Sequence, residues 1–272
     1  MAIQADYHLH SSFSGDSEAP METMIRRGID LGLTRMCFTE HMDFDFPVSE
    51  ISPAGCFEVN TDSYLYDLLK YREIYRNKIR ILFGVELGLQ AHLVPLQAAF
   101  AASKPFDFII GSSHLCAGKD PYQPDFWEGR SEEEALREYF SSIIENLETF
   151  TDFDIYGHLD YVVRYGHGRE KEYSYRAYAD VIDEILRELI CRGIALEVNS
   201  GGLKYGLGFP NPHPDVLKRY RELGGELVTV GSDAHRPEHV GYGFSQVREI
   251  LLDCGFQYFA EFSRRKPVFT RL

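Results

Sequence analysis

Short apolar runs and longer amphipathic stretches alternate along the whole chain. The runs cover residues 5–9, 35–39, 80–87, 106–111, 154–157, 194–199 and 227–231, each rich in β-branched, aromatic or leucine residues. Runs this short, bounded by turn residues, predict buried strands. Between them the pattern predicts helices over 20–32, 61–77, 131–148, 174–192, 214–224 and 244–254. The first opens on Pro20 and closes on Gly32, and the third begins with Ser131 and Glu134 at capping-box spacing. The second carries an apolar stripe through Leu65, Leu68, Leu69 and Ile74. About seven strand-then-helix units in one line imply parallel strands with helices outside. Closed on itself, that α/β arrangement is a single-domain, TIM-like (β/α)7 barrel spanning 1–272, a shortened relative of the eight-unit barrel. Segments 42–60 and 115–129 are long for such units and follow strands, which places them at the mouth as lids or substrate walls. Residues 256–272 read as a last strand and a tail.

The residues that end the strands add chemistry to this outline. The first strand ends in His8-Leu9-His10, the second in Thr39-Glu40-His41, and the third carries Glu86. The fourth leads into His114, the fifth into His158-Leu159-Asp160, the sixth ends in Glu197-Val198-Asn199, and the seventh leads into Asp233-Ala234-His235. Side chains two apart on a strand share a face, so His8 and His10 can grip one site, as can Asp233 and His235. In a barrel all strand C-termini meet at one mouth. Imidazoles and carboxylates gathered there from six strands would be costly to bury unpaired, and they predict a polynuclear metal centre suited to zinc, manganese or iron. His92, His167, His213 and His239 stand outside this pattern and read as non-ligands.

Composition narrows the partners. The net charge of −14 disfavours a polynucleotide substrate, although bound cations invert the field locally. No apolar stretch reaches membrane-spanning length, and the N-terminal residues lack the features of a signal segment; no membrane partner and a cytoplasmic location are therefore expected. Five scattered cysteines without a CxxC pair exclude a disulfide framework or a structural zinc knuckle. Cys37 and Cys191 read as small core residues.

The set His8-x-His10, Asp16, Glu40-His41, Glu86, His114, Gly157-His158 and Ser232-Asp233-x-His235 resembles the PHP (polymerase and histidinol phosphatase) family, in order and over most of the chain. Within that family Cys37-Phe38-Thr39-Glu40-His41, Pro105-Phe106-Asp107-Phe108 and the segment from Gly157 to Gly166 are similar to the histidinol-phosphate phosphatases. The resemblance implies a distorted seven-unit barrel holding three divalent ions. His8, His10, Glu86 and Asp233 would hold the first; Asp16, His41 and His235 the second; Glu86, His114 and His158 the third. Asp16 lies in a glycine-containing loop, where a turn-capping role is the structural alternative.

Phosphomonoester hydrolysis needs a nucleophile at neutral pH, which a metal pair supplies by lowering the pKa of bridging water. It also needs a cation for the phosphoryl oxygens, here Arg164, and a proton for the leaving group, here from Asp233 or His235. Asp160 and Asn199 stand at the mouth as substrate contacts, Asp160 alternatively as support for His158, and Glu40 as support for a ligand histidine. For L-histidinol phosphate, Asp43, Phe44, Asp45 and Phe46 would offer partners to the ammonium and imidazole. Another small phosphate ester, a nucleotide, and a non-catalytic metal-binding barrel are the competing readings. An amidohydrolase-type barrel would carry a lysine at a middle strand end, and none is there. Oligomeric state is not legible.

Overall fold

The computed structural model describes residues 3–166 and 173–272. Seven parallel strands, β1 (Ala5–Leu9), β2 (Arg35–Met42), β3 (Arg80–Gly88), β4 (Phe108–Ser112), β5 (Ile155–Tyr156), β6 (Ala195–Asn199) and β7 (Val228–Gly231), pair in chain order. Beyond the regular ladder the sheet closes on itself. Leu9 bridges Ala234 in parallel, the His10 N–H donates to the Ala234 carbonyl at 2.8 Å, and the Asp233 N–H donates to the His8 carbonyl at 2.7 Å. Asp6, fully buried in β1, staples this seam by accepting from the Ser232 N–H and hydroxyl at 2.9 and 2.6 Å and from the Gly241 N–H at 3.0 Å. The expected distorted (β/α)7 barrel is therefore the observed fold.

Its helices are α1 (Met21–Asp30), α2 (Thr61–Ile74), α3 (Val94–Ala101), α4 (Glu132–Thr149), α5 (Ala179–Arg192), the single turn α6 (Gly201–Lys204), α7 (Pro214–Glu222) and α8 (Phe244–Asp253). The Ser131–Glu134 capping box forms as its spacing predicts. Helix α3 has no counterpart in the sequence pattern, because Val94, Leu96, Ala98, Ala99 and Phe100 spread apolar residues around it and leave no one-sided stripe. Cys191 lies exposed rather than in the core; the buried side of α5 runs through Val181, Ile182, Ile185, Leu186 and Leu189, and a residue two beyond Leu189 points away from it.

The C-terminal segment is a hairpin of β8 (Tyr258–Ser263) and β9 (Lys266–Arg271), not one strand and a tail. Its two-residue turn holds Arg264 and Arg265 in the left-handed region, at φ 51° and 61°, as a tight hairpin requires. The cost is offset from the barrel floor: the Arg265 N–H donates to the Asp107 carbonyl at 2.8 Å, and its guanidinium pairs with Asp154 at 3.0 Å. The Tyr7 hydroxyl donates to the Phe262 carbonyl at 2.8 Å from inside the barrel, so the hairpin closes the N-terminal end. The opposite, C-terminal mouth is left as the open end. Among the described residues no helix is long and apolar enough to cross a membrane.

Candidate active site

Strand periodicity and convergence place the ligand-type side chains together at this mouth. Glu86, fully buried in β3, is the hub. Its Oε1 lies 2.9 Å from His158 Nε2 and 3.1 Å from His114 Nε2; its Oε2 lies 3.1 Å from His8 Nε2, 3.3 Å from His41 Nδ1 and 3.4 Å from His10 Nε2. Asp233 Oδ1 is 3.8 and 3.7 Å from the Nε2 atoms of His8 and His10. Asp16, half-exposed, puts Oδ2 3.0 Å from His235 Nε2 and 3.5 Å from His41 Nε2. Four overlapping triads bring their donor atoms within 4.8 Å of one another: His8–His10–Asp233, His8–Glu86–His158, His41–Glu86–His114 and His10–His41–His235.

The electrostatics suit a cation. Burial opposes the charge on Glu86, yet His8 and His114 outweigh it and hold the carboxyl well below the usual range. Burial, with His235 and His41 alongside, pushes His10 down to about 3 and leaves that imidazole neutral at pH 7. The buried atoms His10 Nε2, His41 Nδ1 and His235 Nε2 lie close to carboxylate oxygens yet make no hydrogen bond of good geometry with them. Buried nitrogens without a well-aligned hydrogen bond are rare; nitrogen and carboxylate donors facing one space fit a divalent metal.

The second ring nitrogens of His114, His8 and His10 are anchored behind the site, which orients these rings. His114 Nδ1 meets Asp43 at 2.7 Å, and His8 Nδ1 meets Glu197 at 2.6 Å. His10 Nδ1 meets Ser14 Oγ at 3.1 Å, and that hydroxyl donates to Glu40 at 2.6 Å. Glu40 thus reaches His10 through a serine. Asp43, one residue beyond β2, is buried behind His114 and pairs with its ring. Asp45 is exposed beside His92 and Phe44 packs against the core, so of that loop group Phe46 and, from behind His114, Asp43 line the cavity.

Arg164 is buried and cavity-lining. Its Nε donates to Asn211 Oδ1 at 2.9 Å and its terminal nitrogens to Asp233 Oδ2 at 3.0 Å and Asn199 Oδ1 at 3.1 Å. The guanidinium carbon sits 5.2 and 5.0 Å from the ring centres of Tyr161 and Tyr205. Asn199 and Asp160, expected as substrate contacts, are fully buried behind it. Asn199 holds Arg164 directly. Asp160 accepts from Asn211 Nδ2 at 2.6 Å and from the His213 N–H at 2.8 Å, so it fixes the asparagine that fixes the arginine rather than supporting His158. Asn211 comes from a loop without a motif, and the sequence holds no signal for it. His213 caps α7 by accepting from the Asp215 N–H, His239 lies in a short turn, and His167 lies outside the described residues. Loops 42–60 and 115–129 supply Ile51, Phe57, Asp120 and Tyr122 to the cavity wall.

Comparison with known proteins agrees with this architecture. The family described as PHP domain matches residues 6–201. The histidinol-phosphatase of Lactococcus lactis subsp. lactis (strain IL1403) is 32% identical over 267 residues, covering 96% of this chain and 95% of that protein. A Clostridium acetobutylicum protein named "Probable histidinol-phosphatase" is 33% identical over 264 residues, with 97% and 95% coverage. The crystal structure of the Lactococcus lactis histidinol phosphate phosphatase, complexed with zinc, L-histidinol and phosphate, superposes with a TM-score of 0.88 at 32% identity, covering 97% of this chain and 98% of that one.

Proposed function

The chain belongs to the PHP-domain family, and we propose that it is a histidinol-phosphatase, hydrolysing L-histidinol phosphate to L-histidinol and phosphate in histidine biosynthesis. The observation that carries this reading is a buried arginine, fixed by Asn199, Asn211 and Asp233, beside a cluster of imidazoles and carboxylates at the mouth. Three divalent ions, drawn from zinc, manganese and iron, would be held by His8, His10, Glu86 and Asp233, by Asp16, His41 and His235, and by Glu86, His114 and His158. When bound, such ions acidify water into a nucleophile at neutral pH and balance phosphoryl charge.

The chain's own residues do the rest. Arg164 is pre-set by three acceptors and retains N–H groups for the phosphoryl oxygens. Asp233 and His235 line the cavity beside it; one of the two takes up the proton that the attacking water releases and passes it, directly or through water, to the departing alkoxide. The substrate's ammonium meets Asp120. That carboxylate, only 9% exposed, lines the cavity with its hydrogen bond to the Tyr122 N–H, whereas the other cavity-lining carboxylates face imidazoles. Burial raises its pKa, and a substrate cation would favour its charged form. Phe46, Phe57, Tyr161 and Tyr165 offer apolar faces to the imidazole.

Selectivity tests the assignment. The wild type is expected to favour L-histidinol phosphate over p-nitrophenyl phosphate, which has no ammonium. Asp120→Asn should lose about 10–100-fold in kcat/KM on L-histidinol phosphate, the worth of one charge-assisted hydrogen bond, and less than about threefold on p-nitrophenyl phosphate. Equal losses on both, or a wild type without preference, would overturn it.

A further inference from the structure

Glu197 is a buried carboxylate that belongs to none of the close donor triads, yet it touches two of the segments that supply them. Its Oε1 lies 2.6 Å from His8 Nδ1. Its Oε2 accepts from the His158 N–H at 2.7 Å and from Asn199 Nδ2 at 3.1 Å. One side chain on β6 therefore joins the end of β1 to His158, two residues beyond β5, and reaches the asparagine that holds Arg164. The backbone makes room for this: a Cβ on Gly231 would lie 2.6 Å from Glu197 Oε1 and 2.3 Å from His8 Cβ, so a larger residue in β7 would drive into both.

We infer that Glu197 is a positioning residue of the metal centre: by accepting from His8 Nδ1 it keeps the proton off His8 Nε2, and by accepting from the His158 N–H it fixes the start of the segment carrying His158. The inference rests on the proposal that the cluster binds divalent ions, not on which phosphate ester is the substrate. The role needs an acceptor at every contact, because three N–H groups converge on two oxygens. A carboxylate supplies acceptors only, whereas an amide brings two donors of its own. With its amide nitrogen toward His8, a glutamine would donate to Nδ1 and move the ring proton to Nε2, the nitrogen that faces Glu86. With its amide oxygen toward His8, it would set donor against donor at the His158 N–H.

Competition between the protein and a colorimetric chelator for zinc, run on wild type, Glu197→Gln and Glu197→Asp, tests the assignment without substrate. Supporting partners behind metal-ligating histidines are worth about 10–100-fold in affinity. The expected result is weaker zinc binding by that factor in Glu197→Gln, with unchanged far-ultraviolet circular dichroism. Glu197→Asp, which keeps an acceptor-only group at shorter reach, should bind zinc more tightly than Glu197→Gln. Long-range proton–nitrogen spectra of zinc-loaded, ¹⁵N-histidine-labelled protein should show the His8 ring proton on Nδ1 in wild type and not in Glu197→Gln. Zinc affinity within twofold of wild type in Glu197→Gln, or glutamine outperforming aspartate, would overturn the inference. A wild type that holds no zinc would remove both this inference and the metal reading. A wild type that holds zinc but ignores L-histidinol phosphate would remove only the substrate assignment.

Discussion

Replacing Glu86 with glutamine is expected to lower kcat/KM on L-histidinol phosphate by about a thousandfold or more, about 4 kcal/mol of transition-state stabilisation. No other side chain at the mouth is so fully engaged. Its oxygens lie 2.9 to 3.4 Å from nitrogens of His8, His10, His41, His114 and His158, and Oε1 also accepts from the Ser112 hydroxyl at 2.7 Å. Glutamine keeps the shape, removes the charge, and turns one acceptor into a donor. His8 and His114, whose charged forms lean on this carboxylate, lose their shared counterion, and bound cations lose the carboxylate that would bridge them. Metal analysis by mass spectrometry together with phosphate release checks the outcome. Both should fall. A variant with full metal content and activity within tenfold of wild type would mean that Glu86 is only a structural partner of the histidines.

Arg164→Lys should cost about 100–1000-fold in kcat/KM, the scale on which loss of a preorganised charge-stabilising donor is felt, and do so without reducing metal content. Charge alone does not explain the site. The guanidinium spans acceptors from three places, Asn199 at the end of β6, Asn211 in the following loop and Asp233 after β7, while lying between two tyrosine rings. An ammonium is a point charge without the planar fork, and it cannot hold all three while presenting parallel N–H groups to a phosphate. Arg164→Ala should be at least as damaging. Recovery of wild-type kinetics by lysine would show that only the charge matters, and parallel loss of metal would show that Arg164 acts mainly by restraining Asp233.

The fold and the candidate ligands were legible for the same reason. A buried parallel strand writes itself as an apolar run, and a strand that ends at a polar site writes its ligands at two-residue spacing, as His8 and His10 do. The groups that hold those ligands leave no such local mark. Glu197 lies 189 residues from His8, and Asp43 lies 71 residues from His114; barrel closure creates the first pair, and the convergence of the ends of β2 and β4 the second. Asp160 and Asn199 looked like substrate contacts because strand ends point toward the mouth, but Asn211 and Arg164 occupy the space in front of them. The C-terminal hairpin was read as a strand and a tail because its turn uses arginines where glycine or asparagine would announce it, with Asp107 and Asp154 beneath the barrel holding that turn in place. Helix α3 escaped because its apolar residues are not confined to one side.

The most direct test of the central claim is phosphate release from L-histidinol phosphate by protein stripped of metal and then reloaded stepwise with zinc or manganese. Activity should be lost with the metal and return as ions are added, reaching a kcat/KM of about 10⁴ M⁻¹s⁻¹ or more and exceeding that on other phosphomonoesters. Undiminished hydrolysis by the metal-free protein would contradict the metal centre, and a fully reloaded protein inert toward L-histidinol phosphate would contradict the substrate.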